Sequence, residues 1–280
     1  MNLRTAIQES KESIDHIYGP SEAQNISRYY FEDRFGISNP ELELSADQLD
    51  IWKSDLKDLV KGIPLQYVVG VAHFYGYQFL VGPDVLIPRA ETEELVRHCI
   101  QLLKTYDRPV KILDIGTGSG CIPISIKLTR PSTTMITAID VSRAALRWAI
   151  DNSQTLDAHV LFKEVNILDD GSCKDLDQYD IIISNPPYIP FEEEDRVASW
   201  VKDHEPELAL FVNNEDPLLF YKRILDLSRR HLKLNGYVLF EVNEFNANDV
   251  AKLAKEHFPN AEVDILKDLQ NKDRIISLSL

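Results

Sequence analysis

Hydrophobic positions recur at helical spacing through the first part of the chain. Apolar residues repeat every three to four positions over residues 3–17 and again over residues 49–60, which is the spacing of one helix face. Gly19-Pro20 and Ser38-Asn39-Pro40 interrupt the pattern, and Ser45 is a residue type that caps helix N-termini. These features predict a small helical domain.

The pattern then changes to that of strands. Residues 67–82 place aromatic and β-branched residues around Gly76, which predicts a β-hairpin. From Glu91 onward strand-like and helix-like segments alternate, as in a mainly parallel sheet covered on both faces. The predicted strands are 110–115, 134–139, 159–164, 179–184, 237–241, 261–266 and 274–280. The predicted helices are 91–104, 121–130, 142–155, 217–233 and 246–257. The last two strands are close in sequence, which favours an antiparallel final strand.

Three regions follow from this organisation. We expect a helical domain at residues 1–65, a β-hairpin linker at residues 66–88 and one α/β domain at residues 89–280. A chain of 280 residues is long enough to bury a substantial core.

Composition and charge narrow the classes of function. No apolar run approaches the ~20 residues that span a bilayer, and the N-terminus has neither a signal-peptide nor a transit-peptide pattern, so we expect a cytoplasmic protein without membrane association. The three cysteines and seven histidines show no metal-ligand spacing, and no metal is predicted. A net charge of −15 without a basic stripe disfavours stable binding to nucleic acid.

A glycine-rich segment follows the first strand of the α/β region. Gly116-Thr117-Gly118-Ser119-Gly120 leads into a predicted helix, where glycines allow close approach of a ligand and the helix N-terminus offers free N–H groups. Asp140, at the end of the next strand, can accept hydrogen bonds from both ribose hydroxyls of a nucleoside. A dinucleotide-binding loop would have a third glycine where Cys121 lies. The G-x-G-x-G spacing instead resembles the first motif of S-adenosylmethionine-dependent methyltransferases; a tight turn without a ligand is the alternative.

A second segment, Ser184-Asn185-Pro186-Pro187-Tyr188, follows the predicted strand 179–184, at the edge where open α/β sheets bind ligands. Proline has a fixed φ and no N–H, and Pro186 forces Asn185 into an extended conformation. The segment therefore offers carbonyl acceptors without competing donors. The Asn185 side-chain oxygen and a backbone carbonyl can together accept both protons of one NH₂ group, with Tyr188 and the proline rings against its faces. A turn capped by Asn185 is the alternative.

Such a pocket suits methylation of an amide or aromatic amine. The nitrogen lone pair of these groups is delocalised, and accepting hydrogen bonds from both protons returns electron density to nitrogen. Positioning and electrostatics are then expected to supply most of the catalysis, without a strong general base.

With both motifs in place, the chain resembles the release factor glutamine methyltransferase family, which modifies the glutamine of the Gly-Gly-Gln tripeptide in peptide-chain release factors. The resemblance covers residues 64–280 and rests on Pro64–Tyr67 with Gly70, Phe74–Gly76, Leu86–Arg89, Glu91–Glu93, Asp114–Gly120, Asn185–Ile189, Glu205-Pro206, Ala209-Leu210, Glu241, Asp268-Leu269 and Asp273-Arg274. It implies a class I methyltransferase fold, Rossmann-like and mainly parallel with an antiparallel final strand, after a small N-terminal helical domain. Four positions depart from the family pattern: Ala90, Asn166, Asn243 and Asn246.

The resemblance also implies roles for single residues. S-adenosyl-L-methionine would be bound by Gly116, Thr117, Gly118, Ser119, Gly120, Asp140, Ile167 and Asn185. The substrate glutamine would be bound by Asn185, Pro186, Pro187 and Tyr188, of which Asn185, Pro186 and Tyr188 would be catalytic. The helical domain would dock the release factor, and the α/β domain would catalyse the transfer. Since Asn166 replaces a common aspartate, the adenine contact there is left open.

Two other functions remain at this point. One is an enzyme that methylates the exocyclic amine of adenine in RNA or DNA, which also uses an Asn-Pro-Pro-Tyr pocket; the acidic charge and the family-like linker disfavour it. The other is a non-catalytic module that binds a cofactor or a partner, which the intact glycine loop and Asn185 disfavour.

Overall fold

The N-terminal region is helical. In a computed structural model, which describes residues 1–280, it contains α1 (Leu3–Tyr18), α2 (Pro20–Phe35), α3 (Ala46–Leu59) and α4 (Leu65–Val69). Ser45 caps α3 as predicted: its side chain accepts from Gln48 N, and the Gln48 side chain accepts from Ser45 N. This reciprocal capping box satisfies two N–H groups that the helix itself cannot.

The helices enclose an aromatic core of their own. Trp52, Tyr30 and Phe31 are almost completely buried there. The indole N–H of Trp52 donates to Ser10 Oγ at 2.8 Å, so its polar group is satisfied inside the core. The apolar spacing read from the sequence thus corresponds to a packed interior.

A short hairpin follows, formed by β1 (Val71–Phe74) and β2 (Tyr77–Leu80). The hairpin was predicted from residue 67, but residues 67–69 belong to α4, which ends at Gly70 with φ +80°. The left-handed glycine stops the helix and starts the strand, a distinction that β-branched residue types alone do not make.

The rest of the chain forms a seven-stranded sheet and the elements around it. Its first half contains α5 (Thr92–Leu103), β3 (Val110–Ile115), α6 (Cys121–Thr129), β4 (Thr134–Asp140), α7 (Arg143–Thr155), β5 (Leu161–Glu164) and β6 (Tyr179–Ser184). The second half contains β7 (Ile189–Pro190), a 3₁₀ turn (Phe191–Arg196), α8 (Ser199–Lys202), α9 (Glu207–Leu210), β8 (Phe211–Val212), α10 (Leu219–His231), β9 (Leu232–Glu241), α11 (Ala247–His257), β10 (Glu262–Lys267) and β11 (Asp273–Ser279).

The sheet has the order β10-β11-β9-β6-β3-β4-β5. Only β11 runs antiparallel to its neighbours, β9 and β10, so the predicted antiparallel final strand is confirmed. Hydrophobic clusters lie on both faces of the sheet. Strand β9 begins at Leu232, five residues before its predicted start, and its pairing with β6 shifts register there.

The connections bring β3, β4 and β6 side by side with their carboxyl ends at one edge. Ser184 Oγ donates to Ile115 O at 2.7 Å, which fixes the end of β6 against the end of β3. No helix has both the length and the hydropathy that crossing a membrane requires. The domain boundaries at residues 65/66 and 88/89 stay a prediction.

Candidate active site

A cavity of about 290 Å³ opens at the carboxyl edge of the sheet. This volume lies near the lower end of the range for small-molecule pockets. The residues that line it include Asp84–Leu86, Ile115, Gly116, Gly118, Ile139–Ser142, Ala145, Val165–Leu168, Ser184–Pro187, Pro206, Leu208, Ala209, Phe220 and Ile224. The two segments singled out in the sequence, the glycine loop and the asparagine–proline segment, therefore share one cavity.

The glycine loop forms one wall. Gly116 and Gly118 have φ of +73° and +53°, and a Cβ added at either would meet no protein atom within 4 Å. At Gly116 and Gly118 the backbone borders open cavity space, which a side chain would fill. Gly120 differs, because a Cβ there would lie 2.9 Å from Ile124 and 3.1 Å from Ala149. Gly120 thus permits close packing of α6 against α7.

Thr117 and Ser119 complete the loop but face inward. Both are buried, at 4% and 2% exposure, and neither lines the cavity. Of the five loop residues predicted to bind the cofactor, Gly116 and Gly118 are the two that border the space available to it.

Asp140 lies across the cavity from the asparagine–proline segment. Its Oδ2 accepts from Gly118 N and its Oδ1 accepts from Ser142 N, each at 2.9 Å. Burial raises the pKa of Asp140, while these backbone N–H groups oppose the rise. Each carboxylate oxygen keeps lone-pair capacity for a further donor, so Asp140 both fixes the glycine loop and can accept from a nucleoside hydroxyl.

The segment after β5 forms another wall of the cavity. Asn166 Oδ1 accepts from Leu168 N at 3.0 Å, a local turn of the Asx type. This turn places Ile167 and Leu168 on the cavity wall, where an apolar surface suits a flat ring. An asparagine forms this turn as well as an aspartate would, since only its oxygen is used.

Asn185 lies between the cavity and α5. Its Nδ2 donates to Thr92 Oγ1 at 3.2 Å, and its Oδ1 has no partner within the chain. Pro186 and Pro187 line the cavity beside it. Asn185 Oδ1 is therefore free to accept a hydrogen bond at the cavity wall. Pro186 and Pro187 have no N–H, so they add no backbone donors beside it.

Tyr188 does not line the cavity. It packs against the hydrophobic cluster beneath the sheet, and burial raises the pKa of its phenol to about 12. The side chain is uncharged at neutral pH and lies one residue beyond the cavity-lining prolines.

Several cavity residues were missed by the sequence analysis. Asp84–Leu86 approach from the segment before α5, and Pro206, Leu208 and Ala209 approach from α9 and the residues before it. Glu205 joins these two segments, because its carboxylate accepts from Ile87 N at 3.1 Å and from Arg89 Nη2 at 2.6 Å. Glu205-Pro206 belonged to the family resemblance, but nothing in the local pattern indicates that it faces a ligand.

Two buried polar residues next to Asn185 were also missed. Thr92 begins α5 and is 3% exposed, and Glu241 ends β9 and is 2% exposed. Burial raises the pKa of Glu241 to about 7, while the Thr92 hydroxyl and then the Arg274 guanidinium lower it. Both positions are far from Asn185 in sequence, so no local signal could have revealed that the fold places them near it.

Comparisons with known proteins assign the family. Residues 95–202 match the model of the methyltransferase small domain. A release factor glutamine methyltransferase of Flavobacterium psychrophilum is 40% identical over 87% of this chain and 85% of its own. One of Bacteroides thetaiotaomicron is 37% identical over 95% and 96%. The chain belongs to the release factor glutamine methyltransferase family.

The fold has solved counterparts as well. A methyltransferase of Pyrococcus furiosus superposes with a TM-score of 0.51 at 16% identity, over 84% of this chain and 98% of that one. The expected class I methyltransferase fold and the family resemblance are both confirmed. In this family, the cavity between the glycine loop and Asn185 is the candidate active site.

Proposed function

We propose that this chain transfers a methyl group from S-adenosylmethionine to the side-chain amide nitrogen of the Gly-Gly-Gln glutamine in peptide-chain release factors. The observation that carries the proposal is the shared cavity: Gly116, Gly118 and Asp140 border it on one side, and Asn185 with its prolines on the other. The curated relatives that cover most of the chain are named for this activity.

The cofactor residues follow from the fit of the cavity. Gly116 and Gly118 leave open space that a Cβ would fill, and the Asp140 carboxylate can accept from ribose hydroxyls. Ile167 lies on the wall that an adenine ring would contact. Thr117, Ser119 and Gly120 would shape the loop that holds the methionine part. When bound, S-adenosylmethionine supplies an electrophilic methyl group on a sulfonium.

The substrate residues act by orientation. The free Oδ1 of Asn185 and a carbonyl of the proline segment would accept both N–H groups of the glutamine amide, which fixes its nitrogen toward the cofactor. Tyr188 does not line the cavity, so its proposed part in binding the amide would be to hold the proline segment in place from the hydrophobic cluster. Because the proline segment has no competing donors, the acceptors need no rearrangement at the moment of transfer.

Partner and location complete the proposal. The N-terminal helical domain, residues 1–65, would dock the release factor, and a cytoplasmic location remains the expectation from the sequence. The adenine alternative is disfavoured by the net charge of −15 and by relatives named for a protein substrate.

A methyl-transfer assay tests the proposal. Purified protein and labelled S-adenosylmethionine are incubated in parallel with a release factor, with the same factor carrying alanine for the tripeptide glutamine, and with RNA and DNA. We expect label only in the intact factor. Equal label in the alanine form would refute the glutamine assignment, and label in nucleic acid alone would favour the adenine reaction.

A further inference from the structure

The orientation of the Asn185 side chain decides whether it can act. The mechanism needs Asn185 Oδ1 to face the substrate amide, because Nδ2 is a hydrogen-bond donor and cannot accept from the N–H groups of that amide. The one side-chain partner within the chain is Thr92 Oγ1, 3.2 Å from Asn185 Nδ2. A threonine hydroxyl can donate or accept, so this contact by itself permits either orientation of the amide.

Glu241, when ionised, removes that ambiguity. It is buried at the level of Asn185 in the sheet. Burial raises the pKa of its carboxyl to about 7, while the Thr92 hydroxyl lowers it. Above this pH the ionised carboxylate can only accept hydrogen bonds, so the Thr92 hydrogen is drawn to Glu241 and Thr92 Oγ1 is left as an acceptor. Only Asn185 Nδ2 can donate to it, which turns Oδ1 away from Thr92.

The sheet register holds these groups together. Ser184 of β6 pairs with Phe240 of β9, so Glu241, the last residue of β9, lies at the level of Asn185, which follows β6. Both Thr92 and Glu241 are buried, and Glu241 Oε2 has no hydrogen-bond partner. A buried carboxylate with an unsatisfied oxygen lowers the stability of the folded state, so stability alone does not explain why a glutamate lies at this position.

We propose that Thr92 and Glu241 are positioning residues that fix the Asn185 amide with its oxygen toward the substrate. The inference rests on the proposed function, because it assigns these residues to the same methyl-transfer site. Neither side chain would touch substrate or cofactor; both would act through Asn185.

The test is a double-mutant cycle on the full chain. Thr92→Val keeps the shape of the side chain and removes the hydroxyl, and Asn185→Ala removes the group that the hydroxyl would orient. We expect Thr92→Val to lower kcat by about tenfold, the effect of losing one oriented hydrogen bond. The KM for release factor and the Kd for cofactor should stay near wild type. In the Asn185→Ala background, Thr92→Val should have no further effect on kcat.

Two controls separate positioning from packing. Thr92→Ser restores the hydroxyl and should recover kcat to within about threefold of wild type. Thr134→Val makes the same substitution at a threonine that is also 3% exposed, but at the start of β4, away from the site. It should leave kcat unchanged. Thermal unfolding of all variants reports their stability.

A second variant tests the carboxylate independently. Glu241→Ala should lower kcat in wild type and leave it unchanged in the Thr92→Val background, because the two residues act through one contact. If Thr92→Val does not fold, a double-mutant cycle that combines Glu241→Ala with Asn185→Ala tests the same coupling in kcat.

The outcomes are distinct. A wild-type kcat in Thr92→Val would overturn the positioning role, and so would equal losses of kcat in the wild-type and Asn185→Ala backgrounds. In either case, transfer by the wild-type protein would still support the proposed function. Absence of transfer by wild type overturns the proposed function and this inference with it.

Discussion

The glycine loop and the asparagine–proline segment follow two neighbouring strands, β3 and β6, yet each is held in a different way. The loop is held mostly by backbone: positive φ at Gly116 and Gly118 and an N–H bond from Gly118 to Asp140. Asn185 is held by a side chain, Thr92 of α5, which is 93 positions away in sequence. Local backbone geometry thus shapes the cofactor side, and tertiary packing orients the substrate side.

This difference predicts which kinetic quantity each side controls. Changes on the cofactor side should alter cofactor affinity, and changes on the substrate side should alter the rate of transfer. Variants with separable effects on Kd and kcat can therefore break or sharpen the comparison.

The largest effect is expected at Asn185. Asn185→Ala removes the acceptor for the substrate amide and should lower kcat by about 10²–10³, as for the loss of one preorganised polar group elsewhere. The Kd for S-adenosylmethionine should rise by much less than kcat falls, because Asn185 is only one of its predicted contacts and the glycine loop and Asp140 are untouched. Single-turnover transfer and calorimetric titration measure the two quantities.

A matched control is Asn260→Ala, an exposed asparagine between α11 and β10, at the sheet edge opposite the cavity. It should behave as wild type. A large loss of cofactor affinity in Asn185→Ala, with normal kcat at saturation, would contradict the division between the two sides.

The same division explains how much the sequence could predict. Gly116–Gly120, Asp140 and Asn185–Pro187 lie at or directly after the carboxyl ends of strands. The alternation of these strands with helices is visible in the sequence, so the convergence of the three segments follows from the topology of a parallel sheet. Thr92 and Glu241 could not be assigned roles, because their contacts depend on how α5 and β9 pack beside β6. Leu208 and Ala209 were missed for the same reason, since Glu205 attaches their segment to the distant Arg89.

The next effect concerns the buried carboxylate beneath the glycine loop. Asp114 is fully buried with no hydrogen-bond partner for either oxygen, and burial raises the pKa of this carboxyl to about 7. Between its unfolded pKa and about pH 7 the native state binds the extra proton, so raising the pH through this window lowers the free energy of unfolding. Across this window the free energy of unfolding falls by an amount on the order of a few kcal/mol.

Asp114→Asn should remove this pH dependence. We expect the difference in unfolding free energy, variant minus wild type, to rise between pH 4 and pH 8 in urea titrations. Because the comparison is between two proteins at each pH, titration of other groups cancels. Parallel stability curves would mean that Asp114 is not protonated in the native state.

A smaller effect is expected within the loop. Gly118→Ala places a methyl group at φ +53°, where it meets open cavity space, and a left-handed conformation costs an L-residue about 1–2 kcal/mol. The methyl group would occupy space needed by the cofactor, so its Kd should rise by about tenfold. At saturating cofactor, kcat should stay near wild type. A fall in kcat with unchanged Kd would place Gly118 on the substrate side and weaken the comparison.

The smallest effect lies outside both segments and sets the baseline for them. Ser45→Ala removes the capping box of α3 and should lower the free energy of unfolding by about 1 kcal/mol. Since α3 packs in the separate N-terminal core, neither Kd for cofactor nor kcat should change. Urea unfolding with the two assays in parallel checks this. If loss of the cap altered Kd or kcat, stability alone could imitate a site effect, and the changes at Gly118 and Asn185 would have to be corrected for it.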